Sequence, residues 1–399
     1  MTTGRPVQRV LQVHTRYREA GGEDRVVDDE LRLLRSAGVE VEQIIFDNTS
    51  IDDSSAPGRA RAGASAVWST SAARRVRSAI GSFRPDVVHV HNTFVLASPS
   101  VFWAASRSAV PVVHTVHNYR LVCPVATCFR DGHPCTDCVG KPIPVPGVVH
   151  ACVRHSRAQS AVVAATLTTH RAIGTWSRRI DRYIALTDFQ RSLLVKGGLP
   201  ARRISVLANF LEPDPGIDAN DRTGFLYLGR LAPEKGIATL TAAAALGPHA
   251  VRVAGDGPAS DLVNAAAVSS QVSALGRLST SEAHRAMASS VALLVPSLWF
   301  EGFPMVVLEA YASATPVIAS RIGSLAEVVE DRTTGLLVPP GDADALAAAI
   351  AWAHDHPSEM RAMGLNARRR YEERYRGASH LAALMDIYDE ARRNRHAAS

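Results

Sequence analysis

The feature that most narrows the fold is an alternation. Short, valine-rich apolar runs recur between segments with helical periodicity, from QRVLQVH at residues 8–14 to GLLVP at 335–339. QRVLQVH leads through a Gly-containing loop, TRYREAGGED, into the amphipathic segment RVVDDELRLLRSAG, which Gly38 closes. VEVEQIIF, PDVVHVH, VPVVHTVH, DRYIALT and ISVLANF continue the series. Runs of this length bounded by turn residues predict strands buried on both faces. Strands that alternate with helices predict a parallel sheet covered on both sides. The scheme then restarts with GFLYLGR, HAVRVAGDG, VSALGR, VALLVPS and TPVIAS. Between the two series lies EPDPGIDANDRTG at 212–224, a polar stretch rich in Asp, Pro and Gly that predicts a linker.

The 399 residues are enough for two such domains. The expected boundaries are 1–211 for a first domain, 212–375 for a second, and 376–399 for a terminal helix packed back on the first. No stretch of about 18 uninterrupted apolar residues predicts a membrane span. The start, MTTGRPVQRVLQVHT, lacks a secretory leader's apolar core, so the cytoplasm is the expected compartment. The net charge of +6 is uneven, with 10 basic residues against 2 acidic ones in 151–210. That excess predicts either a solvated helix face or a surface for anionic lipid or an anionic acceptor. Only Lys141, Lys196 and Lys235 are lysines, against a large number of arginines, so each lysine is more informative than an arginine.

Ligands of open parallel sheets bind beyond the carboxyl ends of the strands, and the polar motifs follow strands here. In LGRLAPEKG, Arg230 and Lys235 flank a loop that opens a helix, an arrangement suited to a phosphate or diphosphate. In EGFPMVVLE, Glu301 and Glu309 bracket an apolar run in apolar surroundings. Pro304 suits the start of a helix, which would present N–H groups near Gly302, Phe303 and Met305 to an anion. A carboxylate accepts two hydrogen bonds from a vicinal diol. A ligand with both a diphosphate and hydroxyls is a nucleotide sugar.

With these motifs in this order, the chain resembles the retaining glycosyltransferases of family 4, which have the GT-B fold: two Rossmann-like doubly wound α/β domains facing a central cleft. VAGDGP, GRLS and GLLVPPGD also match, and the resemblance covers nearly the whole chain. It implies that Arg230 and Lys235 bind the diphosphate, that Glu309 holds the ribose, and that Glu301 contacts the transferred sugar. Gly302, Phe303 and Met305 would supply backbone contacts to the donor, Gly21 and Gly22 would form a glycine loop near the phosphates, and His117 would touch the donor sugar. His91 would face the acceptor, and His114 is expected to pack in its strand. The resemblance further implies front-face transfer to a glycan or lipid-linked acceptor from a UDP- or GDP-sugar, with no protein nucleophile and no catalytic metal, and the basic stretch 154–182 favours an acceptor presented at the inner face of a membrane.

All five cysteines lie between 123 and 152. CTDC is a C-x-x-C pair, and Cys123 with Cys152 would complete a structural zinc site with Cys135 and Cys138 in an insertion spanning 119–152. Packed thiols and a redox-sensitive disulfide are the alternatives. A Rossmann oxidoreductase is disfavoured, because HTRYREAGGED lacks G-x-G-x-x-G. A silent nucleotide-sugar-binding relative of the same fold is the competing function. Nucleic-acid binding is not expected, since no basic stripe with interleaved aromatics occurs in the second half.

Overall fold

The computed structural model describes residues 6–17, 21–51, 55–217, 221–269 and 271–396. The chain divides into two compact units. One comprises Met1–Thr127, Thr136–Ala208 and His380–Ser399, and the other Cys128–Cys135 and Asn209–Ser379.

The strands of the first unit are β1 (Arg9–Arg16), β2 (Glu40–Asp47), β3 (Val87–Val90) and β4 (Val112–Val116), then, after the short β5 (Phe129–Arg130) and β6 (His133–Pro134) pair, β7 (Arg182–Ala185) and β8 (Ile204–Val206). Its six-stranded sheet has the order β2-β1-β3-β4-β7-β8, and neighbouring strands run parallel. β3, β4 and β7 are buried along their whole length, which is why they read as continuous apolar runs. The chain lays down β1, moves outward to β2, then returns past β1 to β3. The reversal therefore lies between β1 and β3.

The second unit repeats the plan with β9 (Phe225–Leu228), β10 (Val251–Ala254), β11 (Val272–Gly276), β12 (Ala292–Val295), β13 (Val317–Ser320) and β14 (Gly335–Val338). Its order is β11-β10-β9-β12-β13-β14, so the reversal lies between β9 and β12. In doubly wound sheets the crevice at the reversal is where ligands bind. The loops carrying Arg230, Lys235 and Glu301 follow β9 and β12, whereas His91 and His117 follow β3 and β4.

Each sheet has its own core. In the first unit Val10, Val87, Val113 and Ile184 pack with Leu384, Ile387, Tyr388 and Ala391 of the last helix, Gly377–His396. In the second, Phe225, Val253, Leu294 and Ile318 form the sheet's contribution. Helix starts are fixed by local chemistry. Ser279 accepts a hydrogen bond from the Glu282 N–H at 3.3 Å while Glu282 accepts from the Ser279 N–H at 2.8 Å, a reciprocal cap written in the sequence as STSE. Among the described residues, no helix is long and apolar enough to cross a membrane.

Candidate active site

In the second unit, backbone hydrogen bonds stitch the loop after β9 to the loop after β10. The Leu231 N–H donates to the Asp256 carbonyl at 2.9 Å, and the Ala259 N–H donates back to the Leu231 carbonyl at 2.8 Å. Gly257 sits at φ +153°, and a Cβ there would overlap the Leu231 carbonyl oxygen. This explains the second glycine of AGDGP: it lets two loops close on each other. Gly236, at φ +75°, ends the Lys235 turn where a Cβ would overlap the Pro296 carbonyl. The Leu298 N–H donates to the Glu234 carbonyl at 2.8 Å, which ties the loops after β9 and β12 together.

The result is a preformed ion pair between residues far apart in the chain. Lys235 Nζ lies 2.8 and 3.0 Å from the two oxygens of Glu301. Ser297 Oγ donates to Glu301 Oε1 at 2.7 Å, and Nζ sits 5.1 Å from the centre of the Trp299 ring. Glu301 is only 5% exposed. Burial alone would raise its pKa, but Lys235 and Ser297 outweigh it and hold the carboxyl below its usual range. The Lys235 side chain keeps 26% exposure, so its charge is open on one side. Pro304 precedes the helix Met305–Ala312 in an extended conformation, and Glu309 lies one turn inside that helix. Phe303 is buried, and Gly302, Met305 and Glu309 are half-buried. Arg230 is exposed, and its carbonyl accepts from the Tyr227 hydroxyl at 2.8 Å.

The first unit gathers its polar groups differently. Gly21 precedes, and Gly22 opens, the helix Gly22–Ser36. Asp24 caps it by accepting from the Gly21 N–H at 3.1 Å and also lies 2.8 Å from His14 Nε2. Burial, reinforced by Asp24, pushes the neighbouring Glu23 carboxyl up to about 8. Deeper on the same helix, Glu30 accepts from Gln12 Nε2 at 2.9 Å and lies 2.9 Å from His89 Nδ1 and 3.3 Å from His91 Nε2. His89 also meets the Tyr388 hydroxyl and Thr115 Oγ1, both at 2.8 Å. His91 Nδ1 is 3.0 Å from His117 Nε2. Burial, followed by the neighbouring His89, holds His91 down to about 3, and burial with His91 holds His117 well below its usual value. Both imidazoles are thus neutral at neutral pH. Glu30 stays ionised: burial would raise its pKa, but His89, with the contacts it and His380 make to the carboxylate, holds it well below the usual range. His91 and His117 line one pocket with Asn118, Arg120 and Trp176.

The structure therefore brings His91 and His117 into contact, and Lys235 and Glu301 into contact. His114 packs in its strand as expected, buried, with Nδ1 2.8 Å from the Val90 carbonyl and its ring against Phe102. Sequence reasoning missed Glu30, Gln12 and Ser297, whereas His89 and His91 were both marked by the match of VVHVHN to a strand end of the family. For Glu30 a signal existed, because it falls on the apolar stripe of Val26, Val27 and Leu34, all buried.

The four cysteines expected to hold zinc are not brought together. Cys135 falls in the second unit and Cys123, Cys138 and Cys152 in the first. Among the described residues, no three thiols converge as ligands. The segment is organised by turns instead: the Cys135 N–H donates to the Cys128 carbonyl at 2.7 Å, and the Cys152 N–H to the Gly147 carbonyl at 3.0 Å. Glu30, His89 and His91 do lie close enough to hold a cation. Their mutual hydrogen bonds and those to Gln12, Tyr388, Thr115 and His117 already account for this arrangement. The basic segment 151–210 is likewise spent partly inside the fold. Arg203 donates to the Ser177 and Ile180 carbonyls at 3.0 and 2.9 Å, Arg171 to the Leu121 carbonyl at 3.1 Å, and Arg182 pairs with Glu390 at 2.6 Å.

Comparison with known proteins meets this geometry. Residues 21–209 match the Glycosyl transferase 4-like domain, and residues 213–370 match Glycosyl transferases group 1. The chain belongs to glycosyltransferase family 4. A family relative, the MMP alpha-(1->4)-mannosyltransferase of Mycolicibacterium hassiacum, is 38% identical over 137 residues, which cover 34% of this chain and 33% of that protein. The chain thus matches about a third of that relative's length. Glycogen synthase of Mycobacterium tuberculosis is 28% identical over 331 residues, 78% of this chain and 70% of that one. Anabaena HepE, solved in complex with UDP, superposes with a TM-score of 0.67 at 17% identity, over 95% of this chain and 99% of HepE. The shared architecture is GT-B, with a six-stranded parallel sheet in each unit.

Proposed function

We propose that this family member is a retaining, hexosyl-type glycosyltransferase that moves a sugar from a nucleotide-diphosphate sugar to an acceptor hydroxyl. The observation that carries this reading is the Lys235–Glu301 pair, 2.8 Å apart at the reversal of the second sheet, beside the start of the helix Met305–Ala312. Lys235 and Arg230 take the diphosphate and stabilise the charge that grows on it as it leaves. Glu301, held ionised by Lys235, accepts from sugar hydroxyls, and Glu309 accepts from the ribose diol. The backbone around Gly302, Phe303 and Met305 faces the sugar and phosphate. In the first unit, His117, backed by His91, meets a sugar hydroxyl. Neither conformation nor packing requires glycine at position 21: its φ is −124° and a Cβ would meet nothing within 4 Å. Close approach of a ligand gives that glycine a reason.

In the reaction, the bond from the anomeric carbon to the diphosphate oxygen breaks. The acceptor oxygen bonds that carbon on the same face, and its proton passes to the departing diphosphate. Positive charge from Arg230, Lys235 and the helix start serves the leaving group, so activity is expected to survive EDTA. The acceptor is a glycan or lipid-linked intermediate at the inner face of a membrane, supported by the basic excess of 151–210. Support for the donor class comes from the relatives named above. A thermal-shift screen with UDP, GDP and ADP tests the proposal. Stabilisation by one nucleotide, lost in Lys235→Ala, supports it and names the base. No shift with any nucleotide, and no nucleotide release from their common sugars, would replace it with a silent scaffold.

A further inference from the structure

The basic charge of this chain is concentrated more sharply than its total suggests. Residues 54–180 carry 15 Lys and Arg against only Asp86, Asp131 and Asp137, a surplus of +12 in a chain whose net charge is +6. Asp86 is spent on the Gln8 and Arg9 N–H groups, at 2.8 and 2.9 Å. Asp131 pairs with Arg130 at 3.2 Å. Three of these arginines line one groove, between the helices Thr70–Phe83 and Ser100–Arg107, together with Trp68 and Trp103: they are Arg74, Arg77 and Arg107. The groove shares no lining residue with the pocket of His91 and His117.

The groove is built rather than incidental. Trp103 is fixed by donation from its Nε1 to Thr175 Oγ1 at 2.9 Å. Its ring carries the Arg179 guanidinium at 3.9 Å and that of Arg107 at 5.4 Å. Trp68 lies parallel to His170, at 3° and 5.9 Å, and 6.1 Å from Trp103. His170 is itself held by Thr175 and the Val67 carbonyl, each at 2.8 Å. Trp68 nevertheless remains 38% exposed. Among the described residues, none of Arg74, Arg77, Arg107 and Arg179 has a carboxylate within ion-pair distance, and the buried Arg179 Nε has no hydrogen-bond partner. Like charges gathered without a counter-ion repel, and an anion relieves that repulsion. Guanidinium forks match the planar oxygens of phosphate, sulfate and carboxylate. An exposed indole face packs against the C–H face of a sugar ring.

We propose that this groove is a second binding site, for an anionic saccharide, whose ring rests on Trp68 and whose charged group sits on Arg74, Arg77 and Arg107. The site stands on the groove alone and does not depend on the transfer reaction. A concave space of about 170 Å³ suits a single sugar ring with its charged substituent better than it suits a flat lipid surface.

The test is calorimetric titration of the full chain with a heparin-derived tetrasaccharide, neutral maltotetraose and phosphatidylglycerol vesicles. The sulfated saccharide is expected to bind one per chain and to weaken with salt. Affinity is expected to fall at least about tenfold in Arg77→Ser/Arg107→Ser and in Trp68→Ala, and to be unchanged in Lys235→Ala. The substituted side chains are solvent-exposed, so circular dichroism will verify that folding is retained. Binding that ignores these substitutions, or equal binding of maltotetraose, overturns the proposal. Vesicle binding without saccharide binding also overturns it and makes this face a membrane contact.

Discussion

Both sheets run outward from their first strand, return past it, and keep their polar groups near the reversal, but the two reversals are furnished differently. The second is assembled from backbone: glycines that let loops touch, carbonyls that fix them, and one half-open ion pair. The first is assembled from buried side chains, with Glu30, His89, His91 and His117 largely satisfying one another. An arrangement with one open charge is ready to receive a charged ligand. A mutually satisfied and mostly neutral network instead holds one imidazole edge in a fixed orientation. The same topology thus serves electrostatics in one half and positioning in the other.

The strongest way to break this contrast is Lys235→Ala. It leaves Glu301 buried without its cation and removes charge from the leaving group, so turnover should fall about 10²–10³-fold, read as kcat/KM for the donor. In the first unit the effect should appear as stability. Glu30→Ala leaves its histidine and glutamine partners stranded and is expected to cost about 3–5 kcal/mol in denaturant melts, the range for breaking a buried charged network. A cost under about 1 kcal/mol, typical of exposed pairs, would show that the network is not a unit. Gly236→Ala should lose about 1–3 kcal/mol from left-handed strain, more where the Pro296 carbonyl cannot move, and should weaken nucleotide binding with it.

Two kinds of buried group in the first unit should respond to pH in opposite directions. His91, held at about 3, and His114, held at about 4 by burial, are neutral in the fold. The unfolded chain takes up their protons from about pH 6.5 downward, so their stabilisation is present above that pH and is lost as pH falls towards 4 and 3. Glu23, raised to about 8, keeps its proton in the fold. Its contribution is complete below about pH 4.5 and is lost as pH rises to 8. Between pH 6.5 and 8 the melting temperature should therefore decline, and Glu23→Gln should flatten that decline. The smallest effect is expected at Arg321→Ala, whose partly exposed pair with Asp331 at 2.6 Å should be worth no more than about 1 kcal/mol.

The strands were legible because a strand buried on both faces is written as an unbroken apolar run, and VVHV and VVHTV show it. Glu301 was legible because it is a charge in apolar surroundings, and Lys235 because it is one of three lysines and stands where a loop opens a helix. Their pairing was not legible, since it depends on loop closure between segments 66 residues apart. Glu30 was hidden in DDEL, where three acids in a row look like a solvated face. The cysteine segment carries no periodicity at all. It is folded by left-handed residues such as Ala126, Cys128 and Asp131, so cysteine spacing said nothing about which thiols meet.

The last helix has a consequence for the order of synthesis. Leu384, Ile387, Tyr388 and Ala391 belong to the core of the unit that begins at the first strand, and Tyr388 holds His89 from that side. A ribosome adding about 5–20 residues per second finishes the second unit's residues before it supplies this helix. The first unit, although translated first, must wait with an uncovered apolar face and an incompletely held His89. A chain released with its end before residue 380 would thus hold every core residue of its C-terminal unit and an open N-terminal one, the reverse of the usual N-to-C order.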